Sequence, residues 1–171
     1  MLFRSSFFSE FLHFYGLQPH HLGANCIVQL SCFVTLCEAY LGLWPCMEIF
    51  KMFFYLRAQT TAGQQRDCGS VSMYTKNTPL PKIHLPDSIK KWQRSYFYVR
   101  NLTDADRIGL PAFSNSLPAS KSWSRKTAVD EELQRTLFDR LKVLVENGLT
   151  SRDLTMAWLS RQIYPLAARP H

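Results

Sequence analysis

The chain lacks the short signatures on which several large enzyme classes depend. It contains no Asp-Thr-Gly or Asp-Ser-Gly triplet, no paired aspartates after an aromatic residue and no glycine-rich phosphate loop. These absences argue against an aspartic protease, a reverse transcriptase and a phosphate-loop nucleotidase. A three-carboxylate nuclease needs acids that converge on two metal ions. The 13 Asp and Glu residues here are scattered, and none occupies a strand position with a convincing partner. Neither a Ser-His-Asp nor a Cys-His arrangement has a recognisable local signature. His13, His20, His21 and Cys26 fall close together but meet no zinc spacing, so the histidines read as loop and surface residues. No catalytic residue, no metal ligand and no cofactor is assigned, and the chain is read as a non-enzyme.

Other absences bear on compartment. Ser9, Glu10 and His13 interrupt any signal-peptide core near the start, so secretion is not expected. The 5 cysteines are odd in number and include no C-x-x-C pair. They read as reduced, buried thiols of an intracellular protein, nuclear or cytoplasmic. Residues 26–43 are apolar enough to raise the question of a membrane span. Gln29, Ser31, Thr35 and Glu38 interrupt them, however, and the run falls short of the roughly 20 residues a span needs. A buried helix is the better reading, with no membrane as a partner.

What is present is 46% hydrophobic and 13% aromatic residues, enough for a globular core. The formal charge of +7 is unevenly placed. Residues 61–128 hold 11 basic groups against 4 acidic ones, whereas the flanking segments balance. A basic middle section suits a polyanion such as nucleic acid.

Along the chain, Phe7, Phe8, Phe11, Leu12 and Tyr15 stand at helical spacing before Gly16, predicting a short amphipathic helix. A loop over 17–23 follows. Asn25 is placed to cap a helix that runs to about Leu41, is apolar on nearly every face and is stopped by Gly42. Glu38 is expected at its rim or in an ion pair. Pro45 opens the first turn of a further helix expected over 46–56. A polar loop spans 60–65. Alternation then predicts strands at 70–74, around His84 and at 94–100 (RSYFYVR), with the prolines at 79, 81 and 86 marking edges or turns. Residues 101–126, rich in Ser, Pro, Ala and Asn, read as a disordered linker. After a near-capping box at 127–130, an apolar stripe runs from Val129 to Val145 and stops at Gly148. A second cap at Thr150 and Asp153 opens a helix expected to end at Pro165. A DNA-reading helix-turn-helix would expose Arg152, Thr155, Arg161 and Gln162, but Asp130, Glu131 and Glu132 would repel phosphate there.

The fold class expected is therefore α+β: a helical core with a small antiparallel sheet, a linker and a C-terminal helical hairpin. The corresponding divisions are 6–100, 101–126 and 127–166.

Several residues carry a family resemblance: Tyr15 and Gly16, His21 and Leu22, Asn25, Phe33 and Val34, Cys37-Glu38-Ala39, Gly42, Pro45 and the aromatic run 50–55. In this pattern the chain resembles the plant retrotransposon-associated gypsy-type transposon domain. Ser88, Lys90, Trp92 and the run 96–99 resemble a later segment of that family, with Tyr96 where a tryptophan is usual. Residues 148–150 and 161–171 match it more loosely. The resemblance implies a part in transposition but attaches no catalytic residues to these motifs. It also implies more chain before the first helix, so a fragment of a longer element protein is expected.

The reading that results is a non-catalytic, element-derived structural or interaction domain with weak, nonspecific affinity for nucleic acid. Lys82, Lys90, Lys91, Arg94 and Arg100 would meet phosphates while Trp92 and Tyr96 stack on bases. Element-encoded proteins are the other partner class. The alternatives are a transposase- or integrase-type enzyme fragment acting on DNA, and a decayed fragment without function.

Overall fold

The structure is a computed structural model that describes residues 6–61, 64–65, 68–82, 117, 123 and 130–167. Helix α1, Ser6–Tyr15, places Phe7, Phe8, Phe11, Leu12 and Tyr15 on one buried face, as their spacing predicts. Gly16 takes a left-handed φ of 63° and closes it, with the Leu17 N–H returning to the Leu12 carbonyl at 2.8 Å. Glycine reaches that conformation without the Cβ clash that other residues incur.

The turn that follows corrects the expectation of surface histidines. Pro19–His21 forms a single 3-10 turn, and His21 is buried. Its Nδ1 accepts the Gln18 N–H at 3.1 Å, so the imidazole satisfies backbone that the short turn leaves open. Helix α2, Ala24–Thr35, begins at Gly23 rather than at Asn25, with no side-chain cap. It tolerates polar residues by bonding them to its own backbone: Ser31 Oγ donates to the Ile27 carbonyl at 2.7 Å and Thr35 Oγ1 to the Ser31 carbonyl at 2.9 Å. The helix continues as a wide π turn, Leu36–Leu41, and stops at Gly42, φ 63°.

Helix α3, Met47–Phe53, is shorter than the 46–56 expected. The chain turns extended at Phe54 and forms strand β1, Phe54–Ala58. An apolar run of this kind satisfies either period, and pairing with a partner strand decides it. That partner is β4, Val71–Thr75, close to the predicted 70–74. The two run antiparallel in a two-stranded ribbon that sets Phe54 opposite Thr75, Tyr55 opposite Tyr74, Leu56 opposite Met73 and Arg57 opposite Ser72. Between them, β2 (Thr60–Thr61) and β3 (Gln64–Gln65) make a smaller ribbon where a plain loop is expected. The Gly23 N–H and Cys26 Sγ both donate to the Val71 carbonyl, at 3.3 and 3.2 Å, and fasten β4 to the start of α2.

The ribbon's inward residues Phe54, Leu56, Val71 and Met73 join α1, α2 and α3 around a phenylalanine cluster centred on Phe50. Its ring lies 5.2 Å from Phe11, 5.5 Å from Phe33 and 5.2 Å from Phe54, the first two edge-on and the last stacked. Such pairs contribute about 0.5–1.5 kcal/mol each beyond the area they bury.

The C-terminal hairpin consists of α4, Glu131–Glu146, and α5, Ser151–Trp158. Helix α4 is capped by Asp130, whose carboxylate accepts the Glu132 and Leu133 N–H groups at 2.9 and 3.0 Å, so the start falls after the 127–130 box expected. Gly148, φ 96°, turns the chain and Thr150 with Asp153 forms the predicted capping box. Leu137, Leu141, Leu149 and Leu154 enter the same core as the phenylalanines, Phe138 meets Phe53 at 5.4 Å, and α5 packs across α2. Pro165 does not end the helical run. A π turn, Leu159–Ile163, precedes α6, Tyr164–Ala167, and the Tyr164 N–H reaches back five residues to Leu159. This wider spacing changes the carbonyl geometry against which a proline ring would otherwise clash.

The fold is thus α+β, mostly helical with a small antiparallel ribbon, and it includes the C-terminal helices. Leu117 and Trp123, both in the segment read as a linker, lie against this core, Trp123 at 3% exposure. The other residues of 101–126 lie outside the described residues, as do the strands expected around His84 and at 94–100.

Candidate functional site

Of the residues expected to contact nucleic acid, Lys82 is described, and its side chain is exposed just beyond the buried Leu80. Lys90, Lys91, Arg94, Arg100, Trp92 and Tyr96 lie outside the described residues. The structure therefore places none of them next to Lys82.

The described residues do bring a basic and aromatic surface together, on the outward face of the β1–β4 ribbon. Because side chains alternate across a strand, burying Phe54, Leu56, Val71 and Met73 turns Tyr55, Arg57, Ser72 and Tyr74 outward. Register sets Tyr55 directly opposite Tyr74, and the rings stack with centroids 5.6 Å apart at 25°. The Arg57 guanidinium lies 5.8 Å from the Tyr74 ring centroid, near the roughly 6 Å limit of a cation–π contact. Gln59 Nε2 donates to the Tyr74 hydroxyl at 3.1 Å. Tyr74 remains 38% exposed and Arg57 is exposed. Residues 51–86 carry Lys51, Arg57, Arg66, Lys76 and Lys82 against the single acid Asp67. Sequence reading missed this surface because it depends on the register of strands joined by a long excursion. The only signal was the alternation in 54–57 and 71–74.

Phe14, Tyr164 and Trp44 are also exposed aromatics, with Trp44, between Leu43 and Pro45, the most exposed at 85%. Glu38, in the π turn that continues α2, emerges exposed at the rim, one of the two positions expected for it.

Cys26, Cys32, Cys37 and His21 are buried, Cys46, Cys68 and His20 are half-buried, and His13 is exposed as expected. Burial pushes the Cys26 thiol up to about 11 and raises Cys37 and Cys32 as well, the opposite of what a thiolate nucleophile needs. Cys32 Sγ lies 3.8 Å from Thr155 Oγ1 at the α2–α5 contact. The His20 and His21 rings meet edge-on at 4.3 Å, and burial lowers the pKa of His20. Among the described residues, no group of three or more His, Cys, Asp or Glu side chains stands close enough to hold a metal ion. Arg152 on α5 and Arg161 on the π turn after it are exposed, but Thr155 turns toward α2 and its hydroxyl donates to the Ser151 carbonyl. One residue of the face a recognition helix would present is therefore spent on packing.

With this geometry in view, comparison with known families gives one result. Residues 2–58 match the family described as "Putative gypsy type transposon". Over those residues the chain is similar to a gypsy-type transposon domain. The match ends at Ala58, the last residue of β1, so β4, α4 and α5 complete the domain's core from outside the matched residues. Tyr15, Gly16, Gly42 and Pro45, which carried the resemblance, lie within it, and the resemblances at 88–99, 148–150 and 161–171 fall beyond it. No curated protein and no solved structure matches the chain.

Proposed function

We propose that this gypsy-type transposon-related chain is a non-catalytic structural or interaction module that binds nucleic acid weakly and without sequence preference. One observation carries the reading: Arg57, Tyr74 and Lys82 are held at the surface, in a segment with almost no acid. A cationic surface with accessible rings meets phosphates and unpaired bases without reading sequence. The Cys26, Cys32 and Cys37 thiols, by contrast, are buried in the core, while Cys46 and Cys68 are half-buried. Lys90, Lys91, Arg94, Arg100, Trp92 and Tyr96 are the further contact residues that the sequence suggests. The chain works inside the cell and away from the bilayer. Ala24–Leu41 is long and apolar enough to cross a membrane, yet half of it is buried against the rest of the fold.

The test is titration of labelled single- and double-stranded oligonucleotides with the full chain at low and rising salt. Binding that weakens linearly with the logarithm of salt concentration supports the reading, and the absence of binding to either probe ends it. Magnesium- or manganese-dependent cleavage or joining of DNA, abolished by alanine at a single acid, would replace it with an enzymatic one.

A further inference from the structure

The outward face of the β1–β4 ribbon makes the proposed binding more specific. We propose that Tyr55, Tyr74 and Arg57 form a stacking platform for single-stranded nucleic acid. This rests on the nucleic-acid reading above and assigns it to residues that the sequence alone did not single out.

Three observations converge. First, the tyrosines are not needed outward to build the core, because the ribbon's burial is carried by Phe54, Leu56, Val71 and Met73 on the other face. Second, the rings are pre-organised. Antiparallel register pairs Tyr55 with Tyr74, their planes are 25° apart, and the Gln59 amide fixes the Tyr74 hydroxyl. A base stacking there meets rings already oriented and loses little side-chain entropy. Third, the charge is placed for a backbone that runs past stacked bases. Arg57 stands opposite the small Ser72, so its guanidinium is free to extend over Tyr74, and its contact at 5.8 Å is long enough to yield to an incoming base. The displaced guanidinium then faces the phosphate. Lys82 is exposed further along the chain from β4, and residues 51–86 carry five basic residues against the single acid Asp67.

Single strands are the favoured occupant because their bases are free to leave the stack, whereas duplex bases already stack on one another. An acidic peptide would use the same cations but not the ring planes.

The experiment measures fluorescence anisotropy of the full chain with labelled oligothymidylate, an abasic oligonucleotide of equal length, a duplex and polyglutamate. The wild-type chain should prefer oligothymidylate to all the others. Tyr74→Ala should weaken that binding about tenfold or more, toward the abasic level, and Tyr74→Phe should recover it because the ring returns. Arg57→Gln should reduce the slope of log affinity against log salt by about one. Thermal unfolding of each variant shows whether it is folded, and Tyr74→Phe keeps the test valid if Tyr74→Ala is not. Oligothymidylate and abasic probes binding equally, or folded Tyr74→Ala binding as wild type, overturns the platform while leaving the proposed function intact. Stronger binding to duplex or polyglutamate overturns it in favour of that partner. Failure of the wild-type chain to bind any nucleic acid overturns both.

Discussion

The N-terminal helices and the C-terminal hairpin reach stability by different means. Helices α2 and α3 start without a side-chain cap and are held by interior volume, above all by the ring cluster around Phe50. Helices α4 and α5 each open on a side-chain cap, at Asp130 and Thr150, and bury a narrower leucine stripe. A helix buried on several sides draws its stability from packing, whereas one with a single buried face leans more on local propensity and capping. The contrast predicts a ranking of mutational costs, and each step of that ranking can fail.

The largest loss belongs to the ring cluster. Phe50 is fully buried, and Phe50→Ala should cost about 3–5 kcal/mol in urea unfolding. A cost near 1 kcal/mol would show that the cluster relaxes around the cavity and would break the contrast. Next comes Leu154, fully buried where α5 meets the core, for which Leu154→Ala should cost about 2–5 kcal/mol. If its unfolding separates into two transitions, the hairpin is a unit of its own. Smaller again is the cap: Thr150→Ala should cost about 1 kcal/mol, within roughly 0.5–2.

The same cap predicts a pH dependence. Asp153 accepts from the Thr150 hydroxyl and backbone N–H at 2.6 and 2.8 Å, and these bonds hold its carboxyl below the ordinary value. A depressed folded-state pKa means a contribution that is fully present above the unfolded value of about 3.9 and lost as pH falls through the folded one. Thr150→Ala should remove part of that acid-side loss, and an unchanged pH profile would show that the bonds do not matter in solution. The smallest effect is at Trp44, 85% exposed, where Trp44→Ala should change stability by no more than about 0.5 kcal/mol. A larger cost would mean that Trp44 packs in solution.

Much of this contrast was legible from residue spacing. The stripe of α1, the stops at Gly16, Gly42 and Gly148, the alternation of β4 and the Thr150 cap all act within a few residues, where period and φ preference decide the outcome. The features that were missed depend on distant partners. Phe54 and Leu56 fit a helix until β4 supplies the ladder, His21 is buried because a turn folds over it, and Pro165 stays helical because the preceding turn widens. The candidate site divides the same way. A basic, aromatic middle section is visible in composition, but the meeting of Tyr55, Tyr74 and Arg57 requires the register of β1 against β4. Beyond Lys82, the expected contact residues lie outside the described residues.

The central structural claim is that one core, centred on the phenylalanines, supports both the ribbon and the hairpin. Native-state hydrogen exchange on the wild-type chain and on Phe50→Ala tests it most directly. If the core is shared, the slowest-exchanging amides of α2 and α5 should lose protection by equal free energies, because both exchange through the same global opening. Unchanged protection in α5 beside a large loss in α2 would contradict the claim and make the hairpin a separate folding unit.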